Sequence, residues 1–277
     1  MNATAGSAPA TDVDSPYAWR RLGIVLAIST VGGVGMWSVV VTLPAIQADF
    51  GVDRAGAALP YTLAMIGFAC GGVVMGRLAD RFGIAVPAAL GALCLSIGYI
   101  AVGFAADLWQ VALAHGLLIG FGCSATFGPL MAEISHWFTK RRGIAVAVAA
   151  AGNYLAGTVW PPVVQHFIAR DGWRATHIGI GIFLLIAMLP LVMLLRRRIT
   201  GGHSEVATAA AARRQAESPF SASTLQVLLC IAGIACCVAM SMPQVHLVAY
   251  CGDLGYGAAR GAEMLSLMLF CGIFSRV

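Results

Sequence analysis

Arg276 stands near the end of a 16-residue run, Ala262 to Val277, that is otherwise apolar apart from Glu263. A guanidinium in such a run offers forked donors matched to a carboxylate. Ionisable groups in long apolar segments usually face a cavity or a partner; the alternative is an arginine near a membrane face that reaches back to water. His115 lies inside another apolar run. Its imidazole could take and release a proton near neutral pH, or pack with a single hydrogen bond. His246 is nearer the end of its run, where it suits a gate, a point of proton access, or the membrane interface. Asn153 and Tyr154 fall mid-run. Neutral groups there orient a small polar ligand or bond between helices. Tyr61 and Trp37 are further candidates for the same cavity wall. His136, His166, His177 and His203 lie near or beyond the run ends and receive no role.

These residues point to binding and passage of a small anion rather than to catalysis. The sequence holds no nucleophile–base pair, metal-ligating cluster or phosphate-cradling glycine loop, and no cofactor is expected. Gly67 to Gly76 reads as helix packing, since no strand precedes it.

Of the 277 residues, 59% are hydrophobic and 10% charged. A soluble domain carries about 25% charged residues, so the composition predicts an all-α integral membrane protein. Seven of the eight cysteines sit in apolar runs without C-x-x-C spacing, which indicates neither zinc nor a disulfide framework. Residues 1–21 open with a stretch, 1–19, that is rich in Ala, Thr, Ser and Asp and lacks the pattern of a cleaved signal peptide. They read as a disordered tail.

A span needs about 20 mostly apolar residues. The runs are Leu22–Leu43, Ala57–Gly76, Ile84–Ala105, Leu108–Met131, Gly143–Ile168, Ala175–Leu195, Leu225–Tyr250 and Ala262–Val277. The eighth has no polar exit, so a chain cut inside a helix is expected. Arg20, Arg21, Arg77, Arg81, Lys140, Arg141, Arg142 and the five arginines between 196 and 214 occupy alternate connections. Together they are twelve of the seventeen basic residues. Positive charge stays inside, which predicts a cytoplasmic N-terminus and excludes a nucleic-acid footprint. A six-helix bundle over 22–195, a cytoplasmic linker over 196–224 and the start of a second bundle over 225–277 complete the layout expected of a two-half transporter. Gly67, Gly71, Gly72 and Gly76, with Gly116 and Gly120, have the spacing for close helix contact. Pro129 and Pro161–Pro162 should bend or break their helices.

Between the second and third runs stands Gly76-Arg77-Leu78-Ala79-Asp80-Arg81-Phe82-Gly83. It resembles the signature loop of the major facilitator superfamily, with Gly76, Asp80, Arg81 and Gly83 matching and Ile84 and Ala85 replacing the usual trailing basic pair. Trp137-Phe138-Thr139-Lys140-Arg141-Arg142-Gly143 and the later Asp171-Gly172-Trp173-Arg174 resemble the monocarboxylate porters and oxalate/formate-type exchangers. Val245 to Tyr250 with Asp253-Leu254-Gly255 is similar to that group's seventh-span exit. The resemblance implies a major-facilitator-type bundle. It implies a secondary transporter of a small organic anion, coupled to a proton or a counter-anion and working by alternating access in the plasma membrane. It gives Arg276 the substrate anion, with Gly272 where many relatives of this type place an acid, and gives Gly76, Asp80, Arg81 and Gly83 a conformational latch. A non-transporting membrane sensor or assembly partner with the same fold is the alternative.

Overall fold

The computed structural model describes residues 13–196 and 221–274. Among the described residues, eight helical segments are long and apolar enough to cross a membrane: Pro16–Phe50, Arg54–Phe82, Ala85–Gly103, Leu108–Trp137, Arg142–Asp171, Trp173–Met193, Ser223–Asp253 and Gly257–Phe274. In hydrocarbon every backbone polar group must be satisfied within the chain, and helices do this locally. They are referred to below as the first to eighth spans.

Local chemistry sets the ends. Ser15 caps the first span by accepting from the Ala18 amide at 3.3 Å, and Pro16 fits the first turn, where its missing N–H is not needed. The helix therefore starts inside the stretch 1–21 read as a disordered tail, six residues before Leu22. Gly83 closes the second span at φ 76° and returns its N–H to the Ala79 carbonyl at 2.8 Å. That φ suits glycine and strains other residues. The expected linker over 196–224 lies almost wholly outside the described residues.

Successive spans alternate in direction. One end of the bundle gathers Arg20, Arg81 and the Lys140–Arg142 cluster; the opposite end gathers the short connections around Gly51, Phe104, Gly172 and Gly255. Leu22, Val25 and Ile28 of the first span, Leu130, Ile134 and Trp137 of the fourth, and Leu184 and Met188 of the sixth share one buried core. Ile97, Leu117 and Ile186 are exposed, as lipid-facing side chains should be.

The second and fourth spans meet backbone to backbone. A Cβ on Gly67 would overlap the Gly116 carbonyl, and one on Gly120 would overlap the Ala64 carbonyl. Gly67, Gly71, Gly116 and Gly120 thus do what small-xxx-small patterns do in lipid, whereas a Cβ on Gly72 or Gly76 would meet nothing, so that pair makes no such contact.

The fourth span is composite. An α-helical Leu108–Ala114 passes into a π-helical turn at His115–Gly120, then Phe121–Ser124; the helix restarts at Gly128–Trp137 with Pro129 in its first turn. The bend expected at Pro129 is realised as this restart. The fifth span behaves differently: Arg142–Asp171 is one helix through Pro161 and Pro162. Pro162 cannot donate to the carbonyl of Thr158, four residues back. The Ser266 hydroxyl of the eighth span bonds that carbonyl instead. The missing donor is supplied by a neighbour, and the helix does not break there.

Candidate functional site

A cleft of about 120 Å³ opens between the first, second, fourth and fifth spans, lined by Ser29, Met36, Phe68, Cys123, Phe127 and Asn153 among others. Most of its polar groups are already engaged. Ser29 Oγ donates to the Thr126 carbonyl at 2.6 Å, Thr126 Oγ1 to the Cys123 carbonyl at 2.8 Å, and Cys123 Sγ lies 3.6 Å from the Gly32 carbonyl. Asn153 is the exception. Its side-chain amide bonds no described residue, so two donors and an acceptor are left for a bound molecule.

Trp37 fixes the helix turn that carries Asn153 by donating Nε1–H to the Asn153 carbonyl at 3.2 Å. Trp37 and Tyr154 are buried together with Val248, Leu265 and Leu269 of the seventh and eighth spans, and Tyr61 packs on the rim of the same cluster. Of the sequence-derived candidates, Trp37, Tyr61 and Tyr154 thus share one apolar cluster, while Asn153 lines the cleft and is joined to that cluster through its backbone carbonyl on Trp37. Gly272 faces the cluster: a Cβ there would stand 2.6 Å from the Tyr154 ring. The aromatic ring fills the space where an acid side chain would project. Arg276 lies outside the described residues.

His115 is elsewhere. It is fully buried, and its Nδ1 donates to the Val111 carbonyl at 2.9 Å. Its ring centroid is 6.0 Å from that of His177, itself fully buried with Nδ1 on the Trp173 carbonyl at 2.8 Å. A carbonyl only accepts, so both rings carry a proton on Nδ1. Neither Nε2 has a partner among the described residues. The Tyr99 ring is tilted by 42° against that of His177, with centroids 5.5 Å apart, and its hydroxyl shares a hydrogen bond with Ser38 at 2.5 Å. The structure brings His177, given no role from the sequence, beside His115 and away from Asn153. His246 is half-buried on the seventh span and makes no hydrogen bond with a described residue.

The Gly76–Gly83 octet lies at the basic end. Asp80 and Arg81 are exposed; Arg81 sits over the Phe82 ring at 5.2 Å, and Asp80 pairs with no described residue. A Cβ on Gly76 would meet open space.

Three long-range ties have no local signature in the sequence. At the basic end, buried Arg21 reaches Glu133 at 2.6 Å and the Leu195 carbonyl at 3.1 Å, with its guanidinium 4.5 Å from the Trp137 ring centroid. Nearby, the Asp14 carboxylate accepts from the Thr139 hydroxyl at 2.6 Å and from the Lys140 amide at 3.2 Å. The Thr139 hydroxyl first, and the two backbone amides after it, hold this carboxyl below the usual aspartate range. At the opposite end, Arg54 meets Asp253 across the first and seventh connections.

Comparison with known proteins agrees with this architecture. Residues 25–277 match the family model of the Major Facilitator Superfamily. Monocarboxylate transporter 13 of Bos taurus is 29% identical over 172 residues, covering 60% of this chain and 38% of that protein. Monocarboxylate transporter 4 of Gallus gallus is 26% identical over 171 residues, covering 60% and 36%. An MFS-type transporter of Aspergillus niger is 33% identical over 90 residues, covering 32% and 21%. The chain spans well under two thirds of the length of the curated relatives it matches.

Proposed function

The chain belongs to the Major Facilitator Superfamily, and from that premise we propose that it carries a small organic anion, a monocarboxylate or similar, by alternating access. The observation that carries this reading is Asn153: an uncommitted amide on a fifth-span turn held by Trp37, in the lining of a cleft between four spans. Two donors and one acceptor suit a carboxylate with a neighbouring carbonyl or hydroxyl. The relatives named as monocarboxylate transporters support the same substrate class.

The basic end faces the cytoplasm, because basic connections are retained there, and the opposite end faces outward across the plasma membrane. A proton or a counter-anion moves with the substrate to balance its charge. Arg276 supplies the fixed cation of the substrate site, His115 and His246 serve proton coupling or gating, and Gly76, Asp80, Arg81 and Gly83 form the inner latch.

Counterflow tests the reading. Liposomes holding the full native protein and loaded with unlabelled pyruvate should accumulate labelled pyruvate. Asn153→Ala should raise the half-saturating concentration about tenfold, the effect expected when hydrogen bonds to a charged ligand are lost. Absence of flux above protein-free liposomes with pyruvate, lactate, formate and oxalate would overturn it and leave a sensor or assembly role.

A further inference from the structure

Arg54 Nη2 stands 2.7 Å from both carboxylate oxygens of Asp253. The two residues belong to different parts of the molecule: Arg54 opens the second span, and Asp253 ends the seventh. Arg54 Nε and Nη1 bond no described residue, so the guanidinium keeps forked donors in reserve. The pair borders a cleft of about 440 Å³ whose walls include Gln47, Val52, Val248 and Ala258. This volume falls in the range of roughly 300–1,000 Å³ typical of small-molecule sites. The Gln47 amide makes no hydrogen bond with a described residue either.

Of the other charges at this end, Arg260 pairs with Glu263 and Arg170 with Asp171, both at 2.9 Å, while the Asp107 carboxylate bonds no described residue. Asp49 pairs with Arg174 at 2.6 Å, and Asp53 accepts from the Gly56 amide at 2.8 Å. Asp253 is therefore the carboxylate that occupies Arg54, and a substrate carboxylate presents the same pair of oxygens. Both partners are more than a third exposed. Exposed ion pairs hold weakly, so one carboxylate can replace another.

We propose that Arg54 is a capture residue at the outer mouth, where the carboxylate of an arriving anion displaces Asp253. The displacement also frees the seventh–eighth connection from the first–second one, so binding and opening are one event. This rests on the transporter reading and on the orientation given above.

A simple latch and a capture site make opposite predictions. Either Arg54→Gln or Asp253→Asn breaks a latch, so both would shift outside affinity the same way. At a capture site they diverge. Arg54→Gln removes the cation and should raise the half-saturating outside pyruvate about tenfold, the scale of a lost charge-assisted contact. Asp253→Asn removes the competitor and should lower it. Arg54→Lys, which keeps the charge without the fork, should fall between wild type and Arg54→Gln. Labelled pyruvate uptake into right-side-out vesicles carrying the full native protein, normalised to protein amount, gives these values. Shifts in the same direction, or no shift in either variant, would overturn the capture role while wild-type flux preserves the transporter reading. Loss of flux in wild type itself would overturn both.

Discussion

Arg21 and Glu133 form an ion pair of 2.6 Å between the first and fourth spans, 112 residues apart in sequence. Arg21 is 1% exposed and Glu133 20%. Arg21 Nε and Nη1 have no partner among the described residues. Glu133 also accepts from Trp137 Nε1 at 2.9 Å, so the acid positions both the cation and the ring beneath it.

The asymmetry of burial predicts an asymmetry of loss. Glu133→Gln strands a buried guanidinium and should destabilise by about 3 kcal/mol, the scale of a broken buried pair. Arg21→Met leaves Glu133 partly hydrated and bonded to Trp137, and should lose less. Denaturant titration in mixed micelles compares them; an equal loss would mean that the charge of Arg21 is not what Glu133 holds.

The contact between the second and fourth spans predicts a contrast among the glycines of these two helices. Gly67→Ala and Gly120→Ala place a methyl inside a neighbouring carbonyl and should cost at least about 1–3 kcal/mol, as overpacking does. Gly72→Ala meets nothing within 4 Å and should be neutral or mildly stabilising. Thermal stability by fluorescence-detected gel filtration separates the cases.

Legibility in the sequence followed the range of the interaction. Gly67, Gly116 and Gly120 announced close approach because helix packing repeats every four residues. Gly83 announced its turn by type alone. His177, placed near a run end, is given no role in the sequence because its relation to His115 exists only once two spans fold together, and Arg21 reads as one more basic residue at the inner face, with nothing nearby to reveal Glu133. Asn153 is picked out as a candidate by its depth in an apolar run, whereas Asp253 is read only as part of a segment similar to a seventh-span exit, and nothing beside Arg54 in the sequence points to their pairing. Of the bend or break expected at Pro161–Pro162, the break does not occur, and its remedy is not legible because Ser266 is 108 residues from Thr158.

That remedy can be measured. Ser266→Ala leaves the Thr158 carbonyl without its donor and should destabilise by about 1 kcal/mol. Pro162→Ala restores an amide N–H to the same carbonyl. The double variant should therefore lose less than Ser266→Ala alone, and full additivity would show that the two positions do not share this acceptor.

Asp14 makes the join at the basic end sensitive to acid. Its carboxyl is held low in the folded state, chiefly by the Thr139 hydroxyl. The stabilisation is complete above the unfolded aspartate value of about 3.9 and disappears as pH falls through the lower folded value. Exchange protection of the Thr139 and Lys140 amides should fall across that window in wild type. In Asp14→Ala it should be weak throughout and free of this step.

The Ser266–Thr158 bond also orders events during synthesis. At about 5–20 residues per second, the 108 residues between these partners take roughly 5–20 s to be made. For that interval the fifth span sits in the membrane with a carbonyl that its own ladder cannot serve. The first six spans are thus born with an acceptor addressed to a later one, and arrival of the eighth span completes a helix that was laid down before it existed.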